Sequence, residues 1–444
     1  MKRVIRLVVP ALVLALWLSA CDRAPTPGDE ITAPTFSQVA EAEGRYIVVL
    51  DNAADPAAVA ASYGVQTRFT YRHALTGFSA ELPDAARQAL EQSPVVRWIE
   101  PVRVHEIAQQ QQAPQAKGGK PGKPDKPDKP CRGKKCPPPP PPGPSCNQGT
   151  GDPTSNDDLT DLWGIRRVNA PQSSTWINSP VDVDIAILDT GGDLDHPDLC
   201  ILDAVSFDPF EPTPDDFHGH GTHVSGTAAA RDDNGIVVGV APTARIWIVK
   251  VCNQFGSCFN DAIVAGVDYV TAHADQIDVA NMSLGGGGSD QAHPLDPIDC
   301  SPISGDAEHL AICNSVKAGV TYVVAAGNNG ADASGFVPAA YDEVITMAAM
   351  NSSDQAAGFS NFGADVDLIA PGVGILSDFP GGGTATMSGT SMASPHGTGG
   401  AALYIATHPG ALPLDVRAAL IAAGQWWAGK GGLHPEPLLD VKSF

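Results

Sequence analysis

The second half of the chain alternates nearly continuous apolar runs with stretches of small residues at helical spacing. The apolar runs lie at 183–188, 244–251, 279–284, 321–327 and 344–350. Because these runs lack polar alternation, they predict strands that are buried on both faces. Helices are predicted at 222–231, 261–274, 307–319 and 413–425. Strands of this kind separated by helices indicate an α/β fold with a mostly parallel sheet between two helical layers.

A smaller unit with a different pattern precedes these strands. Four short strands are predicted at 45–50, 66–71, 77–82 and 95–100. Helices are predicted at 55–64, where Gly64 ends the pattern, and at 83–93, where Pro83 can open the first turn. The order β-α-β-β-α-β is ferredoxin-like, so we predict a small α+β domain over residues 44–107, here called the N-terminal unit.

The two patterned regions are joined by residues 108–149, whose composition is different from either. A glutamine run leads into KPGKPDKPDKP and then CPPPPPPGPSC. Such a sequence cannot bury a core and favours an extended, semi-rigid spacer. It predicts a linker at 108–149 and a second domain at 150–444.

The first residues have the features of an export signal. Lys2, Arg3 and Arg6 precede an apolar run from 7 to 18, which is short for a membrane span and typical of a signal peptide. The run ends in LSAC at 18–21, which resembles the lipobox of bacterial lipoproteins. That resemblance implies cleavage before Cys21 and lipidation of Cys21. The alternative is a plain secretory signal cut near Ala20.

Charge is distributed unevenly along the 444 residues. The net charge is −23, and residues 149–444 carry 36 acidic against 9 basic side chains. An acidic body repels phosphate backbones, which argues against nucleic acid as a partner. The same charge favours cation binding, calcium above all.

Cysteines other than Cys21 number eight, an even count that favours disulfides in an exported protein. Close spacing suggests Cys252 with Cys258 and Cys300 with Cys313. The sequence leaves the pairing open, and a metal site is the weaker alternative because no run has convincing ligand spacing.

Polar side chains with complementary chemistry lie directly after several of the predicted strands or at the first residues of predicted helices. Asp189 follows the strand at 183–188, His220 opens the next helix between two glycines, and Ser391 lies at a helix start in SGTSMASPH. A serine, a histidine that takes its proton and a carboxylate that orients the histidine form a nucleophilic relay. Asn328 and the Ser391 N–H are suited to stabilise an oxyanion. Taken alone, Ser391 is equally suited to cap the helix.

These residues lie within six motifs that resemble the subtilisin-like serine proteases. The motifs are DTGGDLDHPDL, HGHGTHVSGT, NMSLGGG, VVAAGNNG, SNFGADVDLIAPG and SGTSMASPH, spread over 180–405. The order aspartate, histidine, serine is that of subtilisin. The N-terminal unit, with GFSAEL and VVRWIEP, is similar to the inhibitory propeptides of the same family.

The resemblance implies a subtilisin-like three-layer fold with a seven-stranded sheet and a serine endopeptidase that acts through an acyl-enzyme. Asp189, His220 and Ser391 would form the triad, with Asn328 and Ser391 as the oxyanion hole. Ser283, Leu284, Gly285 and Gly286 would bind an extended peptide substrate by backbone pairing. The glycines at 285–288 suggest an open first pocket and a preference for bulky, uncharged residues before the scissile bond. No cofactor is expected for the chemistry.

Two groups of potential metal ligands lie near these motifs. His218, His220 and His223 are close in sequence, but His223 belongs to the family pattern, so no metal is assigned there. Asp193, Asp195 and Asp198 are candidate ligands of a structural calcium ion, although acids in a Gly-rich loop are more often just solvated.

Other functional classes remain to be weighed against a protease. A non-catalytic binding protein on the same fold would lack a triad member, and none is missing. A lipase or esterase would favour a G-x-S-x-G elbow with the serine first, whereas here GTSMA lacks the second glycine and the serine comes last. The N-terminal unit could also act in trans as a protease inhibitor or a chaperone.

The layout predicts self-cleavage between Glu106 and Gln112, or otherwise within the linker. If Cys21 is lipidated, the membrane anchor stays with the N-terminal unit and the cut releases a soluble protease. The expected location is therefore outside the cytoplasm, as a membrane-anchored precursor, a secreted mature form or both, of a bacterial protein.

Overall fold

The computed structural model describes residues 42–109, 162–173, 181–208, 210–232, 237–242 and 244–444. The predicted signal peptide, Cys21 and nearly all of the linker lie outside the described residues. Within the described part, no helix combines the length and apolar character needed to span a membrane.

The N-terminal unit forms a four-stranded antiparallel sheet. Its strands are β1 (Arg45–Leu50), β2 (Phe69–Tyr71), β3 (Gly77–Glu81) and β4 (Val96–Pro101), in the order β2-β3-β1-β4. The helices are α1 (Pro56–Ser62) and α2 (Asp84–Glu91). Asp55 begins α1 by accepting a hydrogen bond from the Ala57 N–H at 3.1 Å. The predicted β-α-β-β-α-β order is confirmed, although β2 is shorter than the predicted 66–71.

A seven-stranded sheet forms the centre of the second domain. Its strands are β6 (Asp184–Asp189), β7 (Ile201–Ser206), β8 (Arg245–Lys250), β10 (Ile277–Met282), β12 (Thr321–Ala325), β14 (Ile345–Met350) and β15 (Leu368–Pro371). The order is β15-β14-β12-β10-β6-β8-β7, and every neighbouring pair is parallel. The predicted α/β fold is confirmed. The two edge strands were not predicted, because Asp203 interrupts the apolar run of β7 and β15 is only four residues long.

Helices cover both faces of this sheet. They are α3 (Trp163–Arg167), α4 (His220–Ala229), α5 (Asn260–Ala272), α6 (Ala307–Lys317), α7 (Thr390–Thr407) and α8 (Pro413–Ala423). Along β6, Ile185 and Ile187 belong to one buried cluster with residues of α4 and α7, whereas Ala186 and Leu188 belong to a second cluster with residues of α5 and α6. Both faces of the strand are therefore apolar, which explains the continuous run in the sequence.

A third sheet joins the two domains. It contains β5 (Val104–Ile107), β9 (Ser257–Phe259), β11 (Leu284–Gly287) and β13 (Phe336–Val337), in the order β13-β11-β5-β9. A separate hairpin consists of β16 (Ile375–Phe379) and β17 (Gly383–Met387). Strand β5 thus extends the N-terminal unit into the second domain and lies between two of that domain's strands.

The two suggested disulfides are present. Cys252 bonds to Cys258 and Cys300 bonds to Cys313. Cys200 also takes part in a disulfide. Covalent links of this kind constrain the unfolded chain, and they suit a protein that acts outside a reducing compartment.

Candidate active site

Asp189 and His220 lie together at the carboxyl end of the sheet. Asp189 is the last residue of β6 and His220 is the first residue of α4, and both side chains are fully buried. Nδ1 of His220 and Oδ1 of Asp189 are 2.7 Å apart. With the Nδ1–H donating to the carboxylate, Nε2 carries the lone pair, and Nε2 has no hydrogen-bond partner in the described structure. The pair can therefore take a proton at Nε2.

The loop before His220 is fixed by Asp216, a residue that the sequence reasoning missed. The Asp216 carboxylate accepts hydrogen bonds from the backbone N–H groups of His218, Gly219 and Thr222, and from the hydroxyls of Thr190 and Thr222. These contacts set the first turn of α4 against the end of β6. The available signal in the sequence was an aspartate two residues before HGHG, and the structure shows that it is buried.

Ser391 lies at the second position of α7, after Gly389 at the N-cap. Its hydroxyl donates to the carbonyl of Ser283 at 3.0 Å, and the Ser283 hydroxyl donates back to the Ser391 carbonyl at 2.9 Å. Ser391 is therefore not the helix cap. Its side chain and N–H both lie at the positive end of a long helix.

Pro395 lies inside α7, beyond its first turn. A proline at this position has no N–H to donate to the carbonyl four residues earlier, which is that of Ser391. The Ser283 hydroxyl supplies that hydrogen bond instead. The helix tolerates Pro395 because the Ser283 side chain, which follows β10, donates to the Ser391 carbonyl that the proline leaves unpaired.

Asn328 follows β12 and is fixed against the start of α7. Its Oδ1 accepts hydrogen bonds from the Thr390 N–H at 2.9 Å and from the Thr390 hydroxyl at 3.0 Å. This contact assigns the oxygen of the amide to Thr390. Asn328 and Ser391 are thus both held at the N-terminus of α7.

Strand β5 occupies the cleft beside Ser391 in the manner of a peptide. Leu284 pairs with Ile107 and Gly285 pairs with Glu106 in an antiparallel register. The Ala108 N–H donates to the Ser283 carbonyl at 2.9 Å, and the Ser391 N–H donates to the Ala108 carbonyl at 3.1 Å.

The glycines along the cleft permit this close approach. A Cβ at Gly389 would lie 2.5 Å from the Ala108 oxygen, and one at Gly286 would lie 2.0 Å from His105 Nδ1. The predicted substrate-binding residues therefore all lie beside β5 or beside Ala108, which follows it. They are Ser283, Leu284, Gly285 and Gly286. A side chain at Gly286 or Gly389 would push the bound strand away.

The opposite edge of β5 pairs with β9, which the sequence reasoning did not include in the site. Val104 pairs with Phe259 and Glu106 pairs with Ser257. The Ile107 N–H donates to the Gly256 carbonyl at 3.0 Å. The bound strand is therefore hydrogen-bonded along both edges. No local motif marks 256–259 as part of a cleft, because the pairing depends on a chain segment some 150 residues away.

Two acidic residues at the start of α6 contact side chains from β5 and the residue before it. His105 Nε2 lies 2.7 Å from Glu308 Oε2, and both side chains are at most 1% exposed. Arg103 donates to Asp306 at 2.9 Å. Burial raises the pKa of Glu308, but His105 and then Arg103 lower it, and the net pKa is below its usual value. The cleft therefore presents the buried carboxylate of Glu308 to His105 of the bound strand.

The other predicted polar residues near the site are accounted for by protein contacts. His223 is buried and its Nε2 lies 3.0 Å from the Ile375 carbonyl; burial lowers its pKa to about 3. Asp193 accepts a hydrogen bond from the Gly381 N–H at 2.8 Å, and proximity to Asp193 raises the pKa of Asp195. Within the described ranges, neither the three histidines nor the three aspartates form a metal-ligating cluster.

Comparison with known proteins agrees with this architecture. The sequence model of the subtilase family matches residues 181–432. Subtilisin NAT from Bacillus subtilis subsp. natto is 36% identical over 63% of this chain and 70% of its own length. Subtilisin Savinase from Lederbergia lenta is 38% identical over 57% of this chain and 88% of its own length. The crystal structure of a cold-adapted subtilisin-like serine proteinase aligns with a TM-score of 0.53 at 32% identity, covering 63% of this chain and 98% of that one.

The family match covers more than half of the chain and contains all seven strands of the central sheet and the helices α4 to α8. Its relatives are similar over most of their own length, so the likeness extends well beyond a single motif. The chain therefore belongs to the subtilase family and is a serine-type endopeptidase.

Proposed function

We propose that the protein is a self-processing zymogen in which Asp189, His220 and Ser391 form the catalytic triad. The Ser391 N–H and Asn328 would form the oxyanion hole. The observation that carries this proposal is the hydrogen bond of 3.1 Å from the Ser391 N–H to the Ala108 carbonyl. It puts a peptide carbonyl of this chain beside the serine hydroxyl, at the N-terminus of α7.

Each group has a defined part in the proposed reaction. The Ser391 hydroxyl leaves the Ser283 carbonyl and gives its proton to His220 Nε2 while Oγ attacks the carbonyl carbon. Negative charge then develops on the carbonyl oxygen, where the Ser391 N–H and the Asn328 NH₂ donate to it, a contribution of about 3–4 kcal/mol per donor. Asp189 stabilises the imidazolium through Nδ1–H.

Collapse of the tetrahedral intermediate breaks the C–N bond. His220 returns the proton to the departing nitrogen, which leaves an ester between Ser391 and the amino-terminal fragment. Water then attacks the ester carbonyl, with His220 accepting one of its protons and passing it back to Ser391. The products are a carboxylic acid and an amine, and the enzyme is regenerated.

The register of β5 supports one peptide bond as the site of self-cleavage. The Ala108 carbonyl is the one that accepts from Ser391, so the bond that would break is Ala108–Gln109. This bond lies within the range of Glu106 to Gln112 that the sequence predicts for self-cleavage. After cleavage, residues 104–108 would remain paired in the cleft and would exclude other substrates. The N-terminal unit would then inhibit the enzyme until it is removed.

The residue before the cleaved bond is predicted to be small, in contrast to the bulky preference suggested by the glycines at 285–288. The Phe336 ring lies against the backbone of two of the cleft's glycines: a Cβ at Gly285 would be 2.5 Å from Phe336 Cε1, and one at Gly327 would be 2.9 Å from Cδ1. This aromatic ring takes up the space that the glycines would otherwise leave. Ala108, a small residue, is in keeping with a narrow first pocket.

The same cut would determine where the protein acts. If the signal peptide is removed and Cys21 is lipidated, the anchor lies on the N-terminal side of Ala108. Cleavage at Ala108–Gln109 would separate that anchor from residues 181–444 and release the protease domain. Fractionation of cells tests this: mature enzyme that stays with the membrane after loss of the N-terminal unit contradicts the proposal.

Mass spectrometry of the full chain tests the triad and the processing bond together. We expect fragments that end at Ala108 and begin at Gln109 in the wild type and in Ser352→Ala, a control at an exposed serine. Ser391→Ala should remain uncut and should not react with a fluorophosphonate. Cleavage of Ser391→Ala at the same bond would contradict the role of Ser391. Cleavage of the wild type at another bond would contradict only the assigned processing site.

A comparison of substrates separates the remaining functional classes. We expect hydrolysis of casein by the processed protein, and loss of that activity in Ser391→Ala. Turnover of carboxylic esters with no turnover of casein would indicate an esterase. Absence of both activities, with no fluorophosphonate labelling, would indicate a binding protein on this fold.

A further inference from the structure

Two histidines and two carboxylates meet outside the proposed catalytic site. They are Asp290 and His293, in the loop after β11, His309 in α6, and Glu343 just before β14. One ligand atom from each residue lies within 4.8 Å of the others. Three separate segments of the chain thus contribute side chains to one point.

The side chains of this cluster are buried without hydrogen bonds at the atoms that face each other. His293, His309 and Glu343 have side chains that are 0% exposed, and that of Asp290 is 21% exposed. Among the described residues, Oδ1 of Asp290, Nε2 of both histidines and both oxygens of Glu343 have no hydrogen-bond partner, although they make ion-pair contacts of 3.3–3.7 Å with one another. Burying polar atoms in this way costs several kcal/mol in general, unless a further group binds them.

Three of the distances within the cluster are close to those between neighbouring ligands of one small ion. His309 Nε2 lies 3.3 Å from Asp290 Oδ1 and 3.4 Å from Glu343 Oε1, and His293 Nε2 lies 3.7 Å from Glu343 Oε2. Metal–ligand bonds of about 2.0–2.1 Å in a tetrahedron place neighbouring ligands about 3.4 Å apart.

Contacts around the cluster orient both imidazoles. His293 Nδ1 lies 3.3 Å from the Gln291 carbonyl, a contact that puts the proton on Nδ1 and the lone pair on Nε2, toward the cluster. The Tyr341 ring stacks on His309 with its centroid 4.0 Å away. Orientation of ligand rings by neighbouring groups is usual in protein metal sites.

We propose that Asp290, His293, His309 and Glu343 bind one divalent transition-metal ion, with zinc the best match. Two imidazole nitrogens and two carboxylate oxygens suit zinc, whereas calcium takes six to eight oxygens and no nitrogen ligands. Four protein ligands leave no open position, so the ion is structural and takes no part in peptide hydrolysis.

The site joins elements that flank the bound strand β5. It ties the loop that follows β11 to α6, the helix that carries Glu308, and the Cys300–Cys313 disulfide links the same loop and helix. The metal therefore stabilises the two walls of the cleft relative to each other. Along the chain only Asp290 and His293, in DQAH, form a local signal, because the other two ligands are distant in sequence.

Metal content and thermal stability of the full-length Ser391→Ala protein test the proposal without any dependence on activity. We expect about one zinc per chain in this protein and in its His408→Gln derivative, a control at an exposed histidine. Asp290→Asn, at the most exposed ligand, and His309→Gln should each bind zinc at least about tenfold more weakly. Chelation should lower Tm by about 5–10 °C, and zinc should restore it.

The identity of the ion and its coordination geometry are tested separately. Calcium added after chelation should not restore Tm, and cobalt should give the intense visible absorption of a tetrahedral ion, which Asp290→Asn should lack. Zinc content that is the same in Asp290→Asn and His408→Gln would overturn the assignment. Absence of bound zinc with no zinc-dependent Tm shift would overturn it as well, as would recovery with calcium alone.

Discussion

Glu308 is predicted to select substrates with a positively charged or hydrogen-bonding residue four positions before the cleaved bond. In the bound strand that position is His105, whose Nε2 lies 2.7 Å from Glu308 Oε2, and both side chains are at most 1% exposed. A hydrogen bond to a charged group contributes about 1.5–3 kcal/mol. Since about 1.4 kcal/mol is a tenfold change, replacing the histidine by leucine should lower kcat/KM by about 10- to 150-fold.

A double-mutant cycle measures this interaction directly. The substrate is the peptide of residues 101–112, and its variant carries leucine at the position of His105. The mature enzyme is compared with Glu308→Gln, which keeps the side-chain volume and removes the charge. We expect the preference for histidine to fall by at least about tenfold in Glu308→Gln, because the neutral amide no longer stabilises a charged partner.

A second substrate variant provides the control. Glu106 is exposed in the bound strand, so its replacement by alanine should change kcat/KM by less than about threefold. Equal cleavage of the histidine and leucine peptides by the wild type would refute the reasoning. A histidine preference that survives unchanged in Glu308→Gln would show that another group recognises the residue.

Three further predictions concern the N-terminal unit and the first pocket. Burial and then Asp306 raise the pKa of Glu100 to about 7, so the complex holds a proton on Glu100 that the separated N-terminal unit releases. Association of the processed unit with the enzyme should therefore weaken about tenfold from pH 6 to pH 8. A dissociation assay should show that Glu100→Gln loses this pH dependence. Asp268 accepts hydrogen bonds from the backbone N–H groups of residues 72–74 of the N-terminal unit. Asp268→Ala should therefore raise the dissociation constant of the processed unit by about tenfold or more. An unchanged dissociation constant would contradict this prediction. Phe336→Ala should raise kcat/KM for peptides with leucine or phenylalanine before the cleaved bond by at least about tenfold, relative to kcat/KM for peptides with alanine there. If peptide profiling shows that this ratio is unchanged, Phe336 does not limit the size of the pocket.

Some predictions from the sequence were accurate because the signals they used are local. The continuous apolar runs identified five of the seven central strands, since a strand buried on both faces needs no polar positions. Spacing suggested both confirmed disulfides, and the six motifs identified the family. The edge strand β7 was missed because the exposed Asp203 interrupts its apolar pattern.

The sequence by itself determined the fold class, the family and the set of residues on which the chemistry is proposed to depend. Tertiary structure alone decided which groups face each other across the cleft. The hydrogen bond from Ser391 to Ala108, the contact of His105 with Glu308 and the meeting of Asp290, His293, His309 and Glu343 each join segments that are distant along the chain. Local patterns record which side chains are buried and what conformation the backbone prefers, whereas these contacts depend on how the loops and strands of the two domains are arranged in space.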